Sequence, residues 1–409
     1  MQLAIDYVIS LALAGICGAV ASLDFRPEPK NHTRTALGRS LLLSIPALMF
    51  GFPITTWFAF LKVIREGHGD FRMLYGAGWI VRMGESNRLY DYAFQKTIQD
   101  LRIGPEQIAL PFNHLSFESL IFVPFTYLNY QKAWVAFLLL NLALLVCAIW
   151  LMHPQLTELN KVYPWASAAL SFTYLPVTAA LLQGQDSILM FLLLVGAWNA
   201  LEVRPLKFPA GLFLTFCLFR FQIVVPIVLL LLVWKCRKVV AAFFATAVPV
   251  LIFSFSLVGT GGAKSYIHLL LAAANETGSF ANGVNPSSMA NFRGLCFGLH
   301  LPMLVVLLLS AGLIYLASRV EPSLELAIAV ALLVSYHGLI HDMTILLIPA
   351  LASLTRGQVR GWLLIAGPIV MVIAPGHFYL ASIPVLAFTL AEIMARSRIR
   401  QPARFAMGC

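Results

Sequence analysis

The feature that most constrains this chain is its succession of apolar runs. Residues 41–63 are apolar over a length that suits the roughly 20 residues a helix needs to cross a bilayer. Similar runs occupy 3–21, 133–152, 165–182, 188–201, 208–219, 223–234, 239–258, 301–317, 324–339, 343–354, 362–374 and 379–395. In hydrocarbon every backbone N–H and C=O must find a partner inside the protein, so runs of this kind fold as helices. Only 11% of the 409 residues are charged and 60% are hydrophobic, whereas soluble chains carry about 25% charged residues. The expectation is an all-α, polytopic integral membrane protein with about 12–14 transmembrane helices. The spans cover the whole chain, which reads as one integral domain, 1–409, with no detachable soluble domain. Several runs are shorter than a full span, and 120–128 is interrupted by Pro124 and reads as re-entrant or broken. Short, Pro-broken spans are tolerated where they line a cavity inside the protein.

Two long polar stretches break the pattern, at 64–117 and 259–300. The first contains amphipathic pieces. Leu74, Ala77, Gly78 and Val81 recur at helical spacing within 73–83, which predicts a helix lying along the membrane interface. The region 1–23 reads as an additional N-terminal helix. It lacks the basic start of a signal peptide and carries Asp6, so a retained helix is expected. The tail 396–409 is basic.

The formal net charge is +10. In a soluble domain that would suggest nucleic acid, but here the basic residues cluster in short connections, where they orient spans and meet anionic lipid. No nucleic-acid partner is expected. Arg26, Lys30, Arg34, Arg39, Arg204, Lys207, Lys235, Arg237, Lys238, Arg319, Arg356, Arg360, Arg396, Arg398, Arg400 and Arg404 are assigned to the cytoplasmic side. Alternation then places 64–117, 183–186, 220–222, 259–300, 336–342 and the N-terminus outside, in a multi-pass protein of the inner (plasma) membrane. The six cysteines form no CxxC pair and read as small buried hydrophobes.

That alternation gathers polar residues at helix ends onto one face: Asp70, His114, Gln183, Gln185, Asp186, Arg220, Asn291, Arg293, His337, His341 and Asp342. Ionisable groups at membrane depth are costly and usually face a cavity, so this convergence marks a candidate active site opening outward. Asp70 is the candidate catalytic base, with a helix cap or a salt bridge to Arg65 or Arg72 as its structural alternative. Arg220 lies between Phe219 and Phe221. It either anchors a helix end by snorkelling or offers its planar fork to a phosphate. His337 and His341 share a helix face next to Asp342, a pattern open to substrate hydrogen bonding, packing or a metal. Without an HExxH motif the metal is not favoured, and no cofactor is expected. His114 reads more readily as an interfacial anchor than as a catalyst. No phosphate-binding glycine loop or nucleophile elbow is present.

Gly69-Asp70-Phe71 with Tyr75, Ala77 and Gly78, then Leu89-Tyr90-Asp91, resembles the first loop of glycosyltransferase family 87, the polyprenol-phosphate-mannose-dependent membrane mannosyltransferases. Gln183-Gly184-Gln185, Ala210-Gly211-Leu212, Asn291-Phe292-Arg293-Gly294-Leu295 and His341-Asp342 with Leu346 to Leu351 follow in the family's order. The likeness runs over about 41–354. Two departures stand out: Leu110-Pro111-Phe112-Asn113-His114 replaces the family's Tyr-Pro-Pro, and Arg220-Phe221-Gln222 replaces its Lys-Pro. The resemblance implies a GT-C fold whose long first extracytoplasmic loop carries amphipathic helices. It implies inverting transfer of a hexose, mannose in the family's pattern, from a polyprenyl phosphate to a lipid or glycan acceptor hydroxyl at the extracytoplasmic face. Asp70 would be the general base; Arg220, Arg293 and Lys264 would bind the donor phosphate. His337, His341, Asp342, Asn291, Gln185, His114 and Tyr75 would contact substrate. The competing class is a lipid or solute transporter or flippase. It predicts internal repeats, and none is evident.

Overall fold

The computed structural model describes residues 2–25, 51, 53–106, 109–162, 165–203, 205–274 and 285–398. The expected basic link 26–39, most of the 41–52 segment, Arg204, Arg400 and Arg404 lie outside these residues. Every regular element among the described residues is helical, as apolar runs without water demand. Among the described residues, four helices are long and apolar enough to cross a membrane: Tyr130–Gln155, Lys207–Val233, Arg237–Ala272 and Phe378–Arg398. Six shorter apolar helices accompany them: Val8–Ser22, Ser187–Glu202, Met303–Ser318, Leu324–Val334, Ile340–Thr355 and Gly361–Ile373. The protein is therefore an all-α polytopic membrane protein. Ala166–Thr173 and Leu175–Gln183 form a further pair bent by 56°. The bend falls at Tyr174, whose backbone is extended, just ahead of Pro176, which cannot donate into the preceding turn.

Length alone would let Lys207–Val233 cross as one span, but its packing shows that it turns back at Arg220. Thr215 Oγ1 bonds the Phe243 carbonyl at 3.1 Å and lies 2.6 Å from Thr246 Oγ1. Gly211 sits directly against Ala242 and Phe243. Were the helix straight, Phe221–Val233 would carry the chain about 20 Å away from Thr215. The few residues from Trp234 to Ala242 could not bring it back. The backbone of Arg220 leaves the helical region (φ −110°, ψ 54°), and the chain reverses there.

A second set of bonds identifies the two ends of the bundle. Trp234 Nε1 donates to the Ala317 carbonyl (3.1 Å), Trp198 Nε1 faces Glu325 Oε1 (3.3 Å), and Leu324 N donates to Glu202 Oε1 (3.4 Å). These residues share one end with a charged network. Glu325 meets Arg356 at 2.7 Å, and Glu392 meets Arg360 and Arg396 at 2.8 Å each. Asp24, at the foot of the N-terminal helix Gln2–Ser22, accepts from Val359 N and Arg360 N at 2.9 and 3.1 Å. The Ser187–Glu202 helix rises from this end to Asp186, a path of about 24 Å. Asp186 and Arg220 therefore belong to the opposite end.

Two expectations are corrected. The helix Phe71–Arg82 exists, but it is packed on all sides rather than on one face: Phe71 to Gly78 and Ile80 are all buried. Its apolar face is wider than the 73–83 spacing suggested because Phe71 and Tyr75 join an aromatic cluster with Phe122, Phe125, Tyr130 and Phe137. The segment 259–300 is not one long loop. Within Arg237–Ala274 two helices meet at a kink at Gly259 (φ +65°, ψ −177°), and the second runs on to Ala274. Tyr266 and Leu269 beyond the kink are buried, and Tyr90 meets Tyr266 with ring centroids 4.5 Å apart. The glycines at 259, 261 and 262 look like a loop in composition, but the following apolar spacing carries the helix on.

Candidate active site

The site is assembled where two backbones come unusually close. Gly69 lies against the Gln183 carbonyl; a Cβ at Gly69 would sit 3.2 Å from that oxygen. Gly184 takes φ +67° to end the helix Leu175–Gln183, and a Cβ there would sit 2.7 Å from Phe71 Cβ. Glycine at both positions lets Gly69-Asp70-Phe71 press against Gln183-Gly184-Gln185.

Asp70 is thereby placed beside Gln185, whose Nε2 donates to Asp70 Oδ2 at 2.6 Å. His341 Nδ1 is 3.9 Å from the same oxygen. Neither structural alternative for Asp70 is adopted. Its side chain does not cap the Phe71–Arg82 helix that it precedes. Arg72 turns the other way, with Nε on Gln99 Oε1 (3.1 Å) and Nη2 on Asp100 Oδ1 (3.1 Å). Asp100 lies in this loop outside the spans. Desolvation opposes its charge, but the Lys96 ammonium, the Glu106 backbone N–H and Arg72 outweigh it and hold the carboxyl below its usual range. Arg72 and Asp100 thus tie down the loop that presents Asp70.

Gln185 passes the connection onward. Its Oε1 accepts from Arg220 Nη2, while Asn141 Nδ2 holds its backbone carbonyl at 3.1 Å. Arg220 is 3% exposed. Its Nε bonds Asp186 Oδ1 at 3.1 Å, and Nη2 reaches the same oxygen. Nη1 lies 3.6 Å from Asp342 Oδ1. The phosphate-sized edge of the guanidinium therefore rests on Asp186, and Nη1 alone makes no hydrogen bond among the described residues. Asp342 Oδ2 in turn accepts from Leu339 N at 2.9 Å, and His341 Nδ1 faces Gln183 Oε1 at 3.1 Å.

A cavity of about 380 Å³ opens over these groups. Asp70, His114, Gln185, Arg220, His337 and His341 line its polar part. Met73, Leu110, Pro111, Phe221, Leu270, Leu271 and Leu339 form the apolar wall. Five of the residues given roles in the sequence analysis are not in the lining. The Tyr75 hydroxyl is taken by the Leu128 carbonyl at 2.7 Å inside the aromatic cluster. Asn291 caps the helix Phe292–Gly298 through Gly294 N and bonds the Ser335 carbonyl at 2.8 Å. Lys264 is exposed on the Arg237–Ala274 helix. Arg293 stacks 4.0 Å over the ring of Tyr336, which itself lines the cavity. Asp342 is buried behind the lining, at 1% exposure. Sequence reasoning missed Glu118, which is fully buried with Oε2 at 2.6 Å from His114 Nδ1. The four-residue spacing of His114 and Glu118 was the available signal.

The fold and cavity define a polytopic helical membrane protein with a carboxylate- and imidazole-rich chamber at one end of its bundle. The model of glycosyltransferase family 87 matches residues 117–337, 221 of the 409 residues. The chain belongs to glycosyltransferase family 87, and it is a membrane glycosyltransferase. The matched region contains His114's partners Glu118 and Asp186 together with Arg220 and His337; Asp70 and His341 lie on either side of it. No curated protein and no solved structure matches the chain.

Proposed function

We propose that this glycosyltransferase moves a hexose, with mannose the expected sugar, from a polyprenyl-phosphate donor to a hydroxyl of a lipid or glycan acceptor. The observation that carries the reading is the placement of the Asp70 carboxylate. It lies on the cavity wall, oriented by Gln185, with 26% of its side chain exposed. A carboxylate held in this way can take the proton of an acceptor hydroxyl as its oxygen attacks the anomeric carbon. The bond from that carbon to the donor phosphate oxygen breaks, the polyprenyl phosphate leaves, and the sugar configuration inverts. The apolar wall suits isoprenoid units, and a lipid-borne donor reaches the site without a nucleotide.

The leaving phosphate calls for positive charge and hydrogen-bond donors. Arg220 Nη1 supplies one donor, with the rest of the guanidinium held by Asp186. His337 and His341, the latter between Asp70 and Asp342, position donor or acceptor, and Arg293 shapes the rim through Tyr336. The cavity end is assigned to the extracytoplasmic side of the inner membrane because Arg356, Arg360 and Arg396 collect at the other end. Family membership favours transfer over the transporter alternative. The test is Asp70→Asn assayed with polyprenyl-phosphate mannose and isolated membranes. Loss of a general base costs about 100-fold or more; retention of more than about a tenth of the wild-type rate removes Asp70 from that role.

A further inference from the structure

Behind the cavity wall, His114, Glu118 and Asp186 bring one ligand-capable atom each to within 4.8 Å of one another. His114 Nδ1 lies 2.6 Å from Glu118 Oε2 and 3.5 Å from Asp186 Oδ2. All three residues are buried, at 4%, 0% and 1% exposure. Ligands about 2.0–2.2 Å from a common ion stand roughly 3–4 Å apart; the His114–Asp186 separation has that spacing, and the 2.6 Å His114–Glu118 hydrogen bond would open slightly as an ion entered.

Two further observations point to something positively charged between them. Glu118 Oε1 and Asp186 Oδ2 are buried oxygens without a hydrogen-bond partner. Buried carboxylate oxygens are costly to leave in that state. The local charge is also unbalanced. Glu118, Asp186 and Asp342 are three buried carboxylates, and Arg220 is the one guanidinium set among them. With all three ionised, three minus one leaves two negative charges; a single divalent cation would neutralise both, whereas a proton shared by Glu118 and Asp186 would neutralise one. Arg220 does not block the position. It occupies Asp186 Oδ1, and Oδ2 turns toward His114.

We propose that His114, Glu118 and Asp186 hold one divalent cation of the Mn²⁺ or Zn²⁺ class behind the cavity wall. One imidazole nitrogen and two carboxylates form a mixed nitrogen–oxygen set that suits those ions. His114 also lines the cavity, so the site borders the space a substrate would occupy. The site departs from the sequence-based expectation of no metal, which weighed His337, His341 and Asp342 instead. Ion binding stands on this geometry alone. Only contact between the ion and a donor phosphate rests on the transfer reaction proposed above.

The experiment uses the full-length protein in detergent, stripped with chelator and desalted. It is titrated with Mn²⁺ while the free-ion EPR signal is followed, with Zn²⁺ as competitor. The expected result is one ion per chain, displaced by Zn²⁺, and a Tm that rises with the ion. Glu118→Gln, which keeps the shape of the side chain, should weaken binding at least about tenfold and abolish the Tm rise. Asp186→Asn should do the same. Glu325→Gln, at the far end of the bundle, should bind as wild type does. The alternative occupant is a proton shared between Glu118 and Asp186. Wild-type protein that binds neither ion, with Glu118→Gln equally stable, would establish the proton and overturn the proposal. Unchanged binding in Glu118→Gln would place the ion elsewhere and overturn it too. Either failure, alongside transfer activity that still depends on Asp70, would leave the transferase reading standing.

Discussion

Replacing Arg220 by Met should destabilise the protein strongly, because the guanidinium is the counter-charge for two buried carboxylates. Met fills a similar volume with a flexible apolar chain, so the change removes charge and hydrogen bonds more than packing. Nε and Nη2 lose Asp186 Oδ1, Nη2 loses Gln185 Oε1, and Nη1 leaves Asp342 Oδ1. Asp186 and Asp342 are each 1% exposed. Breaking a buried pair by removing one partner costs about 3–5 kcal/mol. For a chain of this size that corresponds to a fall in Tm on the order of 5–10 °C. The assay is thermal unfolding in one detergent with a fixed lipid content. Asp186→Asn in the Arg220→Met background should recover part of the loss, with a coupling of about 1.5 kcal/mol or more in the double-mutant cycle. Arg220→Lys should fall between, since an ammonium keeps the charge without the planar fork. A Tm within a degree of wild type for Arg220→Met, combined with a raised donor KM, would show that the guanidinium serves the donor and not the scaffold.

Gln185→Leu should lower kcat by tenfold or more with little change in acceptor KM, because it frees Asp70 from its 2.6 Å tether; an unchanged kcat would show that Asp70 does not depend on this amide. Gly294→Ala should destabilise the 286–298 segment, since the added Cβ would lie 2.0 Å from the Met289 carbonyl oxygen; wild-type expression and Tm would contradict that packing. A cysteine at Asn87 should react with an impermeant thiol reagent from outside intact cells, and one at Lys238 only after permeabilisation, in a background lacking the native cysteines. The reverse pattern would invert the assigned sidedness.

Much of the candidate site was legible in the sequence because it sits where helices end. Asp70, His114, Gln185, Arg220, His337 and His341 all interrupt or border apolar runs, and all six line the cavity. Tyr75 and Asn291 lie in the same polar stretches, yet one hydroxyl and one amide are absorbed by backbone partners. Sequence position gives the level of a residue along the bundle. It does not say whether its polar atoms are already satisfied.

The sequence by itself determined that this chain is a bundle of membrane helices. A backbone in hydrocarbon must pair with itself, and apolar runs of this length leave it the helix. The tertiary structure decided which polar groups meet. Asp70 and Gln185 are 115 residues apart, and Glu118 reaches Asp186 across the connection from one helix group to the next. Tertiary packing set the reversal expected at 220–222 on Arg220 itself, and it resumed the helix beyond the kink at Gly259, against what glycine content suggested. Helix formation depends on local composition and the solvent around it. The meeting of Asp70, Gln185, Arg220 and Asp186 depends on close approach between distant segments, fixed by the small residues at Gly69 and Gly184 and by burial that leaves each charge only its neighbours for compensation.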